Sequence, residues 1–244
     1  MQVRFVGCGD AFGSGGRFNT CFHVTGETVN FLIDCGASSL PALKRCDTDL
    51  GAIDLVLITH FHGDHFAGLP FLILDAQFSR RERPLTIAGP AGLPARLTAV
   101  MEALFEHSSA TRQRFDLNLI ELVPDQRREL GTIKVTPFTA IHGRSGGPFH
   151  SYRIEAEGRT LAYTGDTEWS DALIDVGRDA DLFIAEAYTF GREVRNHLGY
   201  DRLAIELPRI GARQVVLTHL GETMLAHADA VPYTIAHDGL MVET

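Results

Sequence analysis

The sequence predicts an α+β protein in which two β-sheets pack face to face and helices cover their outer sides. Three observations lead there. Short apolar runs of strand length alternate with stretches of helical period along the 244 residues. The two halves of the chain echo one another. Asp54-Leu55-Val56-Leu57-Ile58-Thr59-His60 parallels Gln214-Val215-Val216-Leu217-Thr218-His219, and Thr28-Val29-Asn30-Phe31-Leu32-Ile33-Asp34 parallels Thr160-Leu161-Ala162-Tyr163-Thr164-Gly165-Asp166. No linker separates the halves, so residues 1–244 are expected to form one domain.

Taken in order, residues 2–7, 20–25 and 28–34 read as strands joined by Gly-containing connections. The first connection, Gly7 to Gly16, has five glycines in ten residues, and its backbone amides could approach a ligand closely. Ser38 or Ser39 can cap a helix running to about Cys46. A buried strand over 53–59 delivers a His-rich loop, and Pro70 suits the first turn of a helix through Phe78. A strand over 85–88 closes at Gly89-Pro90. Leu93, Leu97, Val100, Met101, Leu104 and Phe105 then mark an amphipathic helix over 92–106, a core stripe. Strands are predicted around 117–123, 132–139, 149–156 and 159–164. A helix near 169–177, a strand over 181–187, a helix near 201–211 and a strand over 214–218 follow. Pro208 is expected to disturb the last of these helices.

Composition narrows the class. An apolar content of 45% and a charged content of 22% are those of an ordinary globular protein. No window approaches the roughly 18–20 apolar residues of a membrane span. The N-terminus runs straight into a strand without the features of a signal peptide, and Cys8, Cys21, Cys35 and Cys46 form no Cys-x-x-Cys pair. A reduced, cytoplasmic setting fits best. The formal net charge of −9 argues against a broad nucleic-acid surface, which needs clustered Lys and Arg. It leaves room for small phosphate esters, provided a bound cation supplies positive charge locally.

The chemistry concentrates in Thr59-His60-Phe61-His62-Gly63-Asp64-His65, three imidazoles and a carboxylate within six positions. Imidazole with carboxylate suits zinc and related divalent ions, and gathering these groups is costly unless a cation offsets the crowding. His142, Asp166 and His219 lie at the ends of predicted strands, where an edge-of-sheet site would form. Together they make seven ligands, enough for two cations sharing one carboxylate.

His-x-His-x-Asp-His, a later lone His, Gly165-Asp166-Thr167 and a final Thr218-His219 resemble the metallo-β-lactamase superfamily over residues 34–219. The resemblance implies an αββα four-layer sandwich with a dinuclear site. One ion would take His60, His62 and His142, and the other Asp64, His65 and His219, with Asp166 bridging. It implies that Asp34 orients the His loop by hydrogen bonding. Zinc is the first candidate, with manganese or iron admitted by the same donors. Two ions about 3.5–4 Å apart lower the pKa of a shared water to about 7 and clamp the attacking and leaving oxygens. The implied nucleophile is a metal-bridged hydroxide.

Local features point to a branch of that superfamily. Asp166 as a bridging carboxylate does not match the zinc-dependent β-lactamases, which lack that ligand. Asp181-Leu182-Phe183-Ile184-Ala185-Glu186-Ala187, followed by His197, looks like the acidic-residue-then-His element of the ribonuclease Z branch, which also contains cyclic-phosphate phosphodiesterases. The resemblance makes His197 and Glu186 catalytic alongside Asp64: the His faces the scissile phosphate, and the carboxylate keeps it protonated as a general acid. Asn19, with Arg17 and Arg144, is a candidate phosphate contact. His150 is a candidate pocket residue, whereas His23, His107, His227 and His237 read as structural.

The ribonuclease Z enzymes usually carry a long tRNA-gripping arm before the Gly-Asp-Thr. Here Asp166 follows His142 by only 24 positions. With the acidic charge, this favours a small phosphodiester, cyclic phosphates included, over nucleic acid. The alternatives are tRNA 3′-end processing, lactone or thioester hydrolysis, and a metal-sensing module without turnover. A homodimer is implied by the resemblance alone.

Overall fold

The apolar runs form fourteen strands divided between two sheets of seven, in a computed structural model that describes residues 1–244. The first sheet has the order β14 (Met241–Glu243), β1 (Gln2–Gly7), β2 (Cys21–Thr25), β3 (Asn30–Ile33), β4 (Leu55–Leu57), β5 (Leu85–Gly89), β6 (Leu117–Glu121). The second has the order β13 (Thr234–Ile235), β12 (Val215–Thr218), β11 (Leu182–Glu186), β10 (Arg159–Tyr163), β9 (His150–Ala156), β8 (Ile133–Thr139), β7 (Arg128–Leu130). Both sheets are mixed in the same way. β1–β2–β3 and β7–β8–β9–β10 are antiparallel, while β3 to β6 and β10 to β13 are parallel. This repeated plan is the structural counterpart of the echo between the two halves.

Successive side chains of a strand point to opposite faces, and here both faces are buried. Phe31 and Ile33 of β3, with Phe5, Phe22 and Leu57, face the other sheet and meet Tyr152, Ile154, Leu161 and Ile184. Leu32, Val56 and Ile87 point outward onto α1 (Ser39–Arg45), α3 (Leu69–Phe78) and α4 (Leu93–Leu104) through Leu43, Ile73 and Leu97. Phe183, Ala185 and Leu217 do the same for the second sheet, against α5 (Ala172–Gly177) and α6 (Tyr200–Ile210). The result is the four-layer αββα sandwich. Each fully buried Leu or Phe contributes about 1.5–3 kcal/mol. With 23 buried residues, the layer between the sheets is the largest such cluster and holds the scaffold rigid beneath the site.

The differences from expectation are local. β7, β13 and β14 are two or three residues long and carry too few apolar positions to show alternation. Two short helices, α2 (Gly63–Phe66) and α7 (Glu222–Leu225), follow β4 and β12. In α4 only Leu93, Leu97 and Met101 are buried, and Leu104 and Phe105 lie toward solvent. Pro208 sits in the last turn of α6 without ending it. The helix closes at Gly211, whose φ of 70° is the left-handed stop that glycine supplies. All four cysteines are free, and no helix is long and apolar enough to cross a membrane.

The topology fixes where chemistry can gather. β3, β4, β8, β10, β11 and β12 all run toward one edge of the sandwich. Asp34, the 59–65 loop, His142, Asp166, Glu186 and His219 follow or end those strands.

Candidate metal centre

Glycine lets the two loops of the first sheet interlock. Cys35 N–H donates to the His65 carbonyl at 2.8 Å, Ala37 N–H to Gly63 at 3.0 Å, and Gly68 N–H to Cys35 at 2.9 Å. A Cβ on Gly36 would lie 2.0 Å from the Asp64 carbonyl oxygen, so no larger residue fits the approach. Asp34 takes the left-handed conformation, φ 59°, and thereby turns its carboxylate under the His loop. There it accepts from Thr59 N–H (2.7 Å), from Thr59 Oγ1 (2.8 and 3.0 Å) and from His65 Nδ1 (2.7 Å). Thr59 Oγ1 also lies 3.1 Å from Nδ1 of His60. One buried carboxylate therefore fixes the tautomer of His65 directly and that of His60 through a hydroxyl, leaving both Nε2 atoms aimed at the centre.

The seven sequence-predicted ligands come together as two groups. His60, His62 and His142 offer one set of ligand atoms within 4.8 Å of one another, and Asp64, His65, Asp166 and His219 another. His142 Nε2 is 3.1 Å from His62 Nδ1. In the second group His219 Nε2 lies 3.2 Å from Asp64 Oδ2, and His65 Nε2 lies 3.2 Å from Asp64 and 3.3 Å from Asp166. Asp166 faces both groups: its Oδ2 is 4.0 Å from His60 Nε2, 3.7 Å from His142 Nε2 and 3.4 Å from His219 Nε2.

The donor set fits divalent cations, and the polypeptide alone leaves it unsatisfied. His60 Nε2, His65 Nε2 and Asp166 Oδ1 are buried without a hydrogen-bond partner, an arrangement that costs free energy unless a ligand engages them. Charge is strained in the same way. Burial opposes protonation of His65 and His219, yet Asp166, Asp64 and the carboxylates around them push both imidazoles well above their ordinary range. Burial likewise opposes ionisation of Asp166, but His219, His65 and His60 hold it well below the usual carboxylate range. Burial and His65 lower His60, and burial lowers His142, so both tend to the neutral form that a cation requires.

Glu186 and His197 form the predicted pair beside this centre. Oε1 of Glu186 pairs with Nδ1 of His197, while Oε2 accepts from Thr167 N–H at 2.9 Å and Leu198 N–H at 3.1 Å. Glu186 and His197 also share a ligand-sized group with Asp166 and His219. Burial works against a charged His197, but the hydrogen bond and charge of Glu186 raise it above its ordinary value. The ring stacks on Tyr188 (centroids 4.4 Å apart) and meets His142 edge-on at 4.8 Å. A cleft of about 480 Å³ opens beside it, lined by Glu168, Trp169, Arg195 and Arg202 among others.

The other candidates are engaged with partners of their own or exposed. Asn19 spends its amide inside its own loop: Oδ1 takes Ser38 N–H and Oγ, and Nδ2 donates to the Asp10 carbonyl. Arg17 is half-buried on the same loop, and Arg144 is exposed beyond His142. His150 is buried between the sheets beneath the His loop, 3.3 Å from the Tyr152 hydroxyl, and burial pushes it down to about 4. His23 pairs with Asn30 at 2.7 Å, His227 stacks on Phe190, and His107 and His237 are exposed. Sequence reasoning missed Tyr188 and Asn196. The only local signal for Asn196 is an asparagine, a residue that tolerates left-handed backbone, directly before His197.

Known proteins resemble this chain in sequence and in fold. A family model described as "Anti-Pycsar protein Apyc1" matches residues 1–237. Ribonuclease Z of Methanosarcina acetivorans is 26% identical, over 90% of this chain and 87% of its own length. The crystal structure of human tRNase Z, short form, is 25% identical with a TM-score of 0.83, covering 100% of this chain and 99% of that one. A diphosphatase from the PhnP family shares the fold at a TM-score of 0.79 and 20% identity, over 100% of this chain and 97% of that one. With its ligand types converging on one sheet edge and the family match spanning nearly its whole length, the chain belongs to the Anti-Pycsar protein Apyc1 family, among the metal-dependent hydrolases of the metallo-β-lactamase superfamily in its ribonuclease Z-like branch.

Proposed function

We propose that residues 1–244 act as one domain, a phosphodiesterase for a small phosphodiester, cyclic phosphates included. His60, His62 and His142 would hold one divalent cation and Asp64, His65 and His219 a second, with Asp166 shared; zinc, manganese and iron all suit these donors. Such a pair would supply a water-derived nucleophile at neutral pH and neutralise charge developing on the phosphoryl oxygens. The chain's own groups do the rest. Glu186 engages Nδ1 of His197 and leaves Nε2–H as the free donor, poised for the departing alkoxide. Tyr188 and His142 restrict the ring's rotation, and Asp34 keeps His60 and His65 aimed inward. Asn19 shapes the adjoining loop.

The observation that carries the phosphodiester reading is the Glu186–His197 pair set against Asp166 and His219. The small size of the substrate is supported by the stretch from His142 to Asp166, which a turn and the β9–β10 hairpin fill, and by the net charge of −9. The test is His197→Ala on two diesters. With an alkyl leaving group, kcat should fall about 10²–10⁴-fold, and with a nitrophenyl leaving group, which needs no proton, it should hardly change. Equal effects on both, or none on either, overturn the acid role; the second result would favour lactone or thioester hydrolysis.

A second reading, tRNA 3′-end processing, is favoured by the ribonuclease Z relatives and by the human tRNase Z likeness. Cleavage of a precursor tRNA by the purified protein at a rate matching small diesters would establish it over the first.

A further inference from the structure

Asn196 directly precedes His197 and is tied to two neighbouring segments, residues 142–143 and Glu168. Its carbonyl oxygen accepts from Nδ1 of His142. Its Oδ1 accepts from Gly143 N–H at 3.0 Å, and its own N–H donates to Glu168 Oε1 at 2.7 Å. Glu168 N–H donates in turn to the Ile141 carbonyl at 2.7 Å. Residues 141–143, 168 and 196 thus close a ring of hydrogen bonds around His142. The left-handed backbone of Asn196, φ 70°, turns its carbonyl to His142 while the chain runs on into the Glu186–His197 pair. Asparagine tolerates that conformation, and β-branched residues do not.

The segment between β11 and α6 has no helix of its own, and residues 191–193, 195 and 196 are exposed. Its order depends on a few ties, among them Gly191 N–H to Asp201 at 2.6 Å and the three made by Asn196. For His142 to offer Nε2 as a ligand its proton must sit on Nδ1, and the Asn196 carbonyl is the group that accepts it there.

We propose that Asn196 is a positioning residue that couples cation binding at His60, His62 and His142 to docking of the segment carrying His197. An ion that fixes His142 strengthens the anchor of residues 191–198, and a docked segment prepares His142 for the ion, by the same factor in each direction. The inference rests on the reading of that trio as a cation site.

Cobalt(II) tests it, because its uptake can be counted and its ligation gives a visible absorption band. Hydrogen exchange of 191–198 is followed with and without the ion. The wild type should take up two ions and slow its exchange at 191–198 on loading. In Asn196→Val the strained backbone should weaken one of the two ions about tenfold or more and abolish the protection at 191–198. Asn196→Gly keeps the backbone conformation, the carbonyl and the N–H, gives up only the Oδ1 contact to Gly143, and should restore most of both readouts. Unchanged cobalt affinity in Asn196→Val, or equal damage in Asn196→Gly, overturns the coupling. So does a wild type that binds two ions while 191–198 exchanges as before. A wild type that takes up fewer than two ions overturns the cation assignment and the coupling with it.

Discussion

Asp34 touches no reacting atom in this arrangement, yet the centre depends on it. It is completely buried, and its oxygens satisfy Thr59 N–H, Thr59 Oγ1 and His65 Nδ1 together. Asp34→Ala strands those donors, so unfolding in denaturant should show a loss of about 3–5 kcal/mol, and cation affinity should fall about 10–100-fold. A variant with wild-type stability would mean that the carboxylate is not what holds the loop. Protonation gives a second prediction at this scale. In the ion-free chain the surrounding carboxylates, Asp166 foremost, overcome burial and raise His65 and His219, so both hold protons above the pH at which an unfolded histidine releases them. The stability these pairs give the ion-free chain is complete below the ordinary imidazole value of about 6.5 and is lost as pH rises through the raised values. A cation must displace the same protons. Loading near pH 7 should therefore release protons, measurable by calorimetry in buffers of different ionisation enthalpy, and apparent affinity should rise with pH. Binding without proton release would contradict the assignment.

At the scale of elements, the centre depends on how closely two loops of one sheet approach. Gly36 lies where Cys35 and Ala37 hydrogen-bond to the backbone of His65 and Gly63, and an added methyl would overlap the Asp64 carbonyl. Gly36→Ala should cost about 1–3 kcal/mol, seen as a lower melting temperature. It should also weaken the ion at Asp64, His65 and His219, although it changes no ligand; an intact ion with full stability would show that the loops can part without consequence. The strands bearing these loops were legible because each is a dense apolar run ending in a polar residue, as in Leu55-Val56-Leu57 before Thr59-His60. β7, β13 and β14 were not, because a two- or three-residue edge strand is defined by its neighbour's hydrogen bonds and not by its own side chains. The apolar stripe of α4 runs past its buried face for a related reason: periodicity marks a face, but the residues of that face are buried only as far as Met101.

Over the whole molecule, the candidate ligands were readable because coordination restricts residue type and spacing, whereas the residues that position them answer to partners the fold alone supplies. Asp238 shows this at the greatest sequence distance. It lies near the C-terminal end, yet its Oδ1 accepts from Cys8 N–H at 3.2 Å and its Oδ2 from Phe18 N–H at 2.8 Å, clamping both ends of the first Gly-rich loop. The adjoining Gly239 and Leu240 hydrogen-bond to Phe5 at 2.7 and 2.8 Å, and β14 continues along β1. The clamp reaches the centre through Cys8, whose carbonyl accepts from His219 N–H at 3.0 Å and from Thr218 Oγ1 at 3.3 Å. His219 needs that hold, since its backbone is left-handed at φ 56°, a conformation histidine rarely adopts without support. Asp238→Ala frees the Cys8 and Phe18 amides and should lower stability by about 1–3 kcal/mol. Because Cys8 braces His219 and not His60, His62 or His142, cobalt titration should show one ion weakened and the other unchanged. Equal weakening of both ions would mean that the tail supports the sandwich in general, and an unchanged titration would mean that His219 keeps its place without the clamp.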